Sequence, residues 1–214
     1  MFVLFLIIDR DIQCDFDNPF WEETACNWKR DTQFVESLGL DPGYLPFKRK
    51  LADNEHTNGN YWRFKEMKSD NYFVSSGNEN GFFSLTSPEQ IENGPRQFYP
   101  QFGFALRGKK VKIAVYFVEL ASLTMHEMYL EDRDTRRQKQ WDYFTFNLTE
   151  VPFLKDAWDT GTELKWKIVL HFEVKTDGQF SLDNIGPCSF EEIFFPPDAN
   201  SGKMIGTCFR VQVS

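Results

Sequence analysis

Basic residues are scarce in this chain relative to acidic ones. Its 214 residues include 24 Lys and Arg against 32 Asp and Glu, which gives a formal net charge of −8 at pH 7. Proteins that bind nucleic acid neutralise phosphates with an excess of Lys and Arg. The composition therefore disfavours a nucleic-acid partner.

The sequence also lacks an apolar run of the ~20 residues that a membrane-spanning helix requires. The nearest approach is Phe2–Ile8, directly after Met1, with Asp9 following at once. This run is a truncated or atypical signal peptide, the first strand of the domain, or a gene-model artefact. Because these interpretations differ, we treat residues 1–10 as separate from the predicted domain. We expect no transmembrane segment in the chain.

Catalytic motifs are missing as well. The sequence contains no GxSxG elbow, phosphate-binding loop or dinucleotide fingerprint. His126 and Glu127 begin like a zinc-protease motif, but Leu130 stands where the second histidine ligand belongs. No pair of carboxylates is marked out as an acid and base. We therefore predict a protein without enzymatic activity.

What the sequence does contain is alternation of apolar and polar residues, which is typical of strands with one buried face. Trp166–Val174 shows it most clearly, and Val111–Phe117, Phe144–Leu148 and Ile205–Val213 repeat it. Long amphipathic helices are missing, and the best helical candidate is Asp31–Leu38. The pattern predicts an all-β antiparallel sandwich or barrel.

Turn signals separate these segments. They are Asp41–Gly43, Asn58-Gly59, Asn80-Gly81, Ser87-Pro88, Asn93–Pro95 and Asp177-Gly178. The polar segment Glu131–Gln140 has charges of both signs, which indicates a solvated loop or hairpin tip. Without internal repeats or a Gly-, Pro- or Ser-rich linker, residues 11–213 form one predicted domain.

The cysteine count is even, which fits two disulfides in any of three pairings. The four residues are Cys14, Cys26, Cys188 and Cys208. No two of them have CxxC spacing, and the alternative is four unpaired thiols in a cytosolic protein. Disulfides would place the chain in an oxidising compartment, secreted or extracellular. The glycosylation sequon at Asn147 gives weak support to this localisation.

Several short motifs follow one another in a recognisable order. They are Cys14–Asp17, Cys26 with Trp28, Glu55–Gly59, Leu85–Pro88, Phe172-Glu173, Leu182–Ile185 and Cys188. Their order resembles the MAM domain, an extracellular module named for meprin, A5 protein and receptor tyrosine phosphatase mu. The resemblance covers nearly the whole chain.

The chain departs from that family in its cysteines. The family carries a central cysteine that pairs with the terminal one, and this sequence has none between Cys26 and Cys188. Beside a Cys14–Cys26 bridge we therefore expect Cys188–Cys208 as a substitute. Such departures describe a divergent member.

The resemblance implies a jelly-roll-like sandwich of two antiparallel sheets. It also implies a non-catalytic adhesion module that binds an extracellular protein, including a second copy of itself, and that requires no cofactor. Some family members hold a structural cation, and the matching positions for calcium or sodium here are Asp17, Glu55 and Asp183. The alternative is that these acids make turn and backbone hydrogen bonds.

Two further hypotheses stay open: a carbohydrate-binding, lectin-like jelly roll, and a glycoside hydrolase or lyase with two acids facing each other across a cleft. Three or more coplanar exposed aromatics on a concave face would favour carbohydrate. The aromatic residues considered for a contact face are Trp21, Trp28, Tyr61, Trp62, Tyr99 and Trp141. For each of them, taken singly, packing in the core is the competing role.

Overall fold

The computed structural model describes residue 14 and residues 27–51, 72–76, 79–93, 101–133 and 142–188. The helices are α1 (Thr32–Ser37) and α2 (Pro152–Thr160), and a 3-10 turn spans Leu148–Glu150. The strands are β1 (Phe47–Leu51), β2 (Tyr72–Ser76), β3 (Gly81–Thr86), β4 (Gln90–Glu92), β5 (Gln101–Glu119), β6 (Met125–Arg133), β7 (Asp142–Asn147) and β8 (Leu164–Cys188).

Two very long strands, β5 and β8, pair with each other along their length and belong to two sheets. In the first sheet, residues 164–174 of β8 pair with β3 and β4, and residues 111–118 of β5 pair with β6. In the second sheet, β1 and β2 extend β8 on one side, and β7 extends residues 101–106 of β5 on the other. All these pairs are antiparallel, and the architecture is the expected jelly-roll-like sandwich.

Ring contacts within single strands show how sharply β5 and β8 fold over. Phe172 and Phe180 of β8 stack with centroids 4.2 Å apart, whereas a straight strand would separate them by about 26 Å. Phe102 and Phe117 of β5 are 6.4 Å apart instead of about 50 Å. Each strand therefore crosses from one layer to the other, and its rings meet in the core between them.

The crossing occurs at one bend shared by both strands. Lys110 on β5 and Asp177 on β8 have φ angles of 48° and 59°, and the β5–β8 register shifts between Lys109 and Val111. A Cβ on Gly178 would lie 2.5 Å from the Lys110 carbonyl oxygen. The prediction that the strand ends in a turn at Asp177-Gly178 is therefore wrong. Left-handed backbone at Asp177 bends the strand instead, and β8 continues to Cys188.

Alternation along the strands is confirmed by burial. Trp166, Ile168, Leu170, Phe172 and Val174 are all at most 2% exposed and belong to the central apolar cluster. Trp28 joins them at 1% exposure and stacks on Phe102 with centroids 5.9 Å apart. Trp28 is consequently a core residue, and its role as part of a contact face is ruled out.

Helix α1 forms where the sequence predicted it. Asp31 caps the helix by accepting a hydrogen bond from the Phe34 N–H at 3.2 Å. Helix α2 was not predicted, although Pro152 in its first turn and Gly161 after its last turn, at φ 68°, are ordinary helix boundaries. Its buried face includes Leu154 and Trp158.

Two sequence predictions fall wholly or partly beyond these residues. The apolar run Phe2–Ile8 and the strand Ile205–Val213 lie outside the described residues. The polar segment Glu131–Gln140 begins inside β6, which continues to Arg133, so its first residues are strand rather than loop. In the described part of the chain, neither helix is long and apolar enough to cross a membrane.

Candidate functional site

The residues predicted to hold a cation are not brought together in the described part of the chain. Asp17 and Glu55 lie outside it, and Asp183 is a β8 residue opposite Ala105 whose side chain is not described. Among the described residues, no group of three or more His, Cys, Asp or Glu could hold a metal ion. The calcium or sodium site stays a prediction.

Cys14 lies against the second sheet. Its backbone exchanges hydrogen bonds with Ile185 of β8, N–H to carbonyl, at 2.7 and 2.8 Å. Cys14 is 1% exposed and disulfide-bonded. Cys188 ends β8 opposite Gln101, while Cys26 and Cys208 lie outside the described residues. The pairing of the four cysteines stays a prediction.

The sequon residue Asn147 ends β7 and begins the 3-10 turn. Its side-chain oxygen accepts hydrogen bonds from the Thr149 N–H at 3.1 Å and from the Thr149 hydroxyl at 2.8 Å. This local ring of hydrogen bonds fixes the orientation of the carboxamide. Glycosylation of Asn147 stays a prediction.

Tyr44 is a strongly exposed aromatic residue, with 87% of its surface accessible. Of the aromatics considered from the sequence, Trp28 is in the core and the other five lie outside the described residues: Trp21, Tyr61, Trp62, Tyr99 and Trp141. Tyr44 follows Gly43, whose φ is 73°. Gly43 lies against the backbone of Phe82 on β3.

A segment that we call the strap, residues 29–45, leaves the edge of β3, crosses the outer face of the first sheet and returns. It departs where Lys29 and Thr86 exchange backbone hydrogen bonds at 2.9 and 3.0 Å. It returns where the Leu45 N–H donates to the Phe82 carbonyl at 3.3 Å. A Cβ on Gly43 would lie 1.7 Å from that same carbonyl oxygen, so only glycine allows this close return.

Helix α1 of the strap covers one half of the outer face. Val35 packs on Val118 of β5 and Val169 of β8, and all three are 0% exposed. Lys167 fastens the helix, because its ammonium lies 4.7 Å from the centre of the Phe34 ring and 3.6 Å from the Asp31 carboxylate. This half of the face is closed to any ligand.

The other half, which we call the open face, consists of two cross-strand rows. Strand register places one row in the order Phe82, Glu173, Lys112 and Asp132, and the next as Ser84, His171, Ala114 and Leu130. Leu130 is 50% exposed, and Phe82, Glu173, Lys112 and His171 are half-buried. The open face thus combines aromatic, apolar and charged groups within a small area.

His171 is at the centre of the open face. Its ring stacks on Phe82 with centroids 5.6 Å apart and planes inclined by 18°, and its Nδ1 is hydrogen-bonded to the Ser84 hydroxyl at 2.8 Å. Burial lowers the pKa of the imidazole below its ordinary 6.5, Lys112 adds to the lowering, and the carboxylates of Asp41 and Glu173 oppose it. The stacking on Phe82 and the hydrogen bond to Ser84 together hold the imidazole in one orientation.

Ser84, His171 and Asp41 have the composition of a hydrolase triad, but not its accessibility. A nucleophilic hydroxyl must reach the substrate, and Ser84 is only 2% exposed. The Ser84 hydroxyl is thus suited to orienting the imidazole rather than to attacking a substrate.

Tyr116 lies at the boundary between the open and covered halves and packs against the cluster under α1. Burial raises the pKa of its hydroxyl, and Glu127, which accepts a hydrogen bond from that hydroxyl, raises it further. The phenol therefore stays protonated and remains a hydrogen-bond donor at neutral pH.

The sequence analysis did not identify this site, although the strand positions of Phe82, His171 and Glu173 could have indicated it. Phe82 is out of phase with the inward-facing Phe83 and Leu85, which marks an aromatic residue on the solvent side of a strand. His171 and Glu173 share the polar face of the Trp166–Val174 alternation. Nothing in the sequence shows that the strap lies on these strands, since that contact is between distant segments.

No protein-family model matches the sequence, and no curated protein matches it. Among solved structures, TmCBM61 in complex with beta-1,4-galactotriose is 17% identical at a TM-score of 0.41, over 72% of this chain and 92% of that one. The family 11 carbohydrate-binding module from Clostridium thermocellum is 11% identical at a TM-score of 0.36, and the match covers 76% of this chain and 89% of that one. The K3 adhesin domain of Lys-gingipain from Porphyromonas gingivalis is 17% identical at a TM-score of 0.32, and the match covers 55% of this chain and 71% of that one. Likeness at this level carries no information on what this chain binds.

Proposed function

We propose that this β-sandwich is a non-catalytic domain that binds carbohydrate on the open face of its first sheet. The observation that carries the proposal is the stacked Phe82–His171 pair on this face, with ring centroids 5.6 Å apart. Tyr44, 87% exposed, adds a ring in the strap next to Gly43, which lies against the Phe82 carbonyl. Aromatic rings that are already held in place lose little freedom on binding a ligand.

The polar groups of the open face complement that aromatic surface. A pyranose presents C–H groups on its flat side and hydroxyls around its rim, so it requires a ring to stack on and hydrogen-bonding groups beside the ring. The Phe82–His171 pair supplies the first requirement, while Glu173 and Lys112 supply acceptors and donors next to it. The Ser84 hydroxyl orients the imidazole through its hydrogen bond to Nδ1.

Glycan-array screening followed by calorimetric titration tests the proposal. Tyr44→Ala removes an exposed ring with little cost to stability, and we expect it to weaken sugar binding about tenfold. Phe82→Leu keeps an apolar side chain and removes the stacking surface, so the loss should be similar. Phe153→Leu, which alters another half-buried phenylalanine on α2, is the matched control and should bind normally. A wild-type protein that binds no glycan, or a Tyr44 variant of unchanged affinity, would contradict the proposal.

A protein partner, as expected of a MAM-type adhesion module, is the second candidate. The observation favouring it is the exposure of apolar side chains along β6 and the turn before it, where Leu123 is 44%, Met125 37% and Leu130 50% exposed. Clusters of exposed apolar residues are typical of interaction sites. Self-association measured by analytical ultracentrifugation, and its loss in Met125→Lys, would favour this candidate.

A further inference from the structure

The strap determines how much of the first sheet a ligand can reach. Outward-facing residues recur along a strand every ~7 Å, and neighbouring strands are ~4.8 Å apart. The open face therefore measures about 14 Å across its four strands and about 7 Å between its two rows. An oligosaccharide running along the strands meets α1 after the second row, because Val35 fills the space over Val118 and Val169.

Charge on the open face limits the ligand further. Lys112 lies between Glu173 and Asp132, its Cα partners on β8 and β6, and Lys175 is ion-paired with Asp132 at 2.6 Å. The strap adds the carboxylate of Asp41 beside His171. The cations are thus matched or outnumbered by carboxylates, and the net charge of −8 repels anions from farther away.

From these two features, and resting on the proposed function, we infer that the site takes the end of a neutral glycan, one or two sugar units long. A polysaccharide that continues along the strands past the second row is blocked by α1, so a chain end has to lie there, and sulfated or uronic-acid glycans are disfavoured by the carboxylates. Specificity of this kind comes from what the site repels as well as from what it contacts.

The size limit is tested by titrating the full chain with neutral oligosaccharides of one to six units, built from the sugar that the glycan array identifies. We expect the affinity to increase up to the disaccharide and then to stay within about twofold up to the hexasaccharide. An increase of more than about fivefold beyond the disaccharide would overturn the inference while leaving carbohydrate binding intact. Absence of binding to every sugar would instead overturn the proposed function, and the inference with it.

The charge limit is tested with a sulfated form of the same disaccharide. We expect it to bind at least about fivefold more weakly than the neutral form, and Glu173→Gln to narrow that gap. Glu150→Gln, which removes an exposed carboxylate from the 3-10 turn, is the matched control and should leave the gap unchanged. Equal or tighter binding of the sulfated sugar to the wild type would overturn the charge limit, and so would identical effects of the two variants.

Discussion

Trp158 of α2 donates its indole N–H to the buried carboxylate of Glu92 across 2.8 Å. The same carboxylate accepts from the indole of Trp166 on β8 at 3.2 Å. One acidic side chain, 2% exposed, therefore joins β4, β8 and the helix. Its role is structural: it satisfies two buried donors that would otherwise be costly to remove from water.

Replacing Glu92 with Leu should leave both indole donors buried without this acceptor. We expect the free energy of unfolding to fall by about 3 to 5 kcal/mol, since each stranded donor costs about 1 to 3 kcal/mol. Glu92→Gln keeps one acceptor oxygen and should cost about half as much. Urea denaturation measures both, with the exposed Glu150→Gln as the control within about 0.5 kcal/mol of wild type. A Leu variant as stable as that control would contradict the assignment.

Thr86 offers the opposite case, a substitution that should stabilise. Its Oγ1 is the buried side-chain polar atom that makes no hydrogen bond among the described residues, and Thr86 is 0% exposed. Thr86→Val keeps the shape and removes the unsatisfied hydroxyl, so we expect about 1 kcal/mol of added stability. Thermal unfolding should show a higher midpoint, whereas Thr176→Val on the exposed side of β8 should not. A lower midpoint for Thr86→Val would show that the hydroxyl has a partner.

The shared bend of β5 and β8 predicts an unequal cost for two glycine substitutions. A Cβ on Gly178 would lie 2.5 Å from the carbonyl oxygen of Lys110 and 2.6 Å from that of Lys175. Backbone atoms cannot rotate away, so Gly178→Ala should cost about 3 kcal/mol. Gly39→Ala meets nothing within 4 Å and only has to adopt a φ of 75°, which should cost about 1 kcal/mol. Denaturation that ranks the two in reverse order would contradict the bend geometry.

His171 predicts a pH dependence of stability whose sign is fixed by burial. Because the folded protein lowers the pKa of His171 below the ordinary 6.5, the unfolded chain binds the proton more readily. Stability is therefore complete above about pH 7 and falls as the pH drops through the ordinary pKa of histidine. Denaturation between about pH 7 and pH 5.5 should show a shallower decline in His171→Asn than in wild type.

His126 on β6 provides the control for that measurement. His126→Asn removes an imidazole that takes no part in the open face, and it should retain the decline of the wild type. A His171 variant that declines as steeply as wild type would place the pH dependence elsewhere in the chain.

The sequence predicted the strands better than it predicted their arrangement. Alternation in Trp166–Val174 and Val111–Phe117 identified the buried faces, because a two-residue period is a local property. The bend at Gly178 was mistaken for a turn, since Asp-Gly favours left-handed backbone in both cases. Helix α2 was missed although Pro152 and Gly161, at its two ends, are ordinary boundary signals of a helix.

The candidate site was predicted least well, for a physical reason. The strap reaches the first sheet through Val35 and Lys167, which are remote from each other in sequence, and no local pattern specifies such a contact. Without that contact, Phe82 and His171 are two ordinary strand residues. With it, they become the uncovered part of an otherwise covered surface.

Both layers of the sandwich contain segments of the same two strands, β5 and β8, and this arrangement determines how the chain folds. Because β5 and β8 are separated by β6, β7 and α2 in sequence, every pairing between them closes a long loop before it gains any contact. Folding should accordingly be slow and all-or-none, because the local β5–β6 hairpin completes neither layer until β5 and β8 have met. A chain cut at the bend would lose both layers together rather than keep one of them.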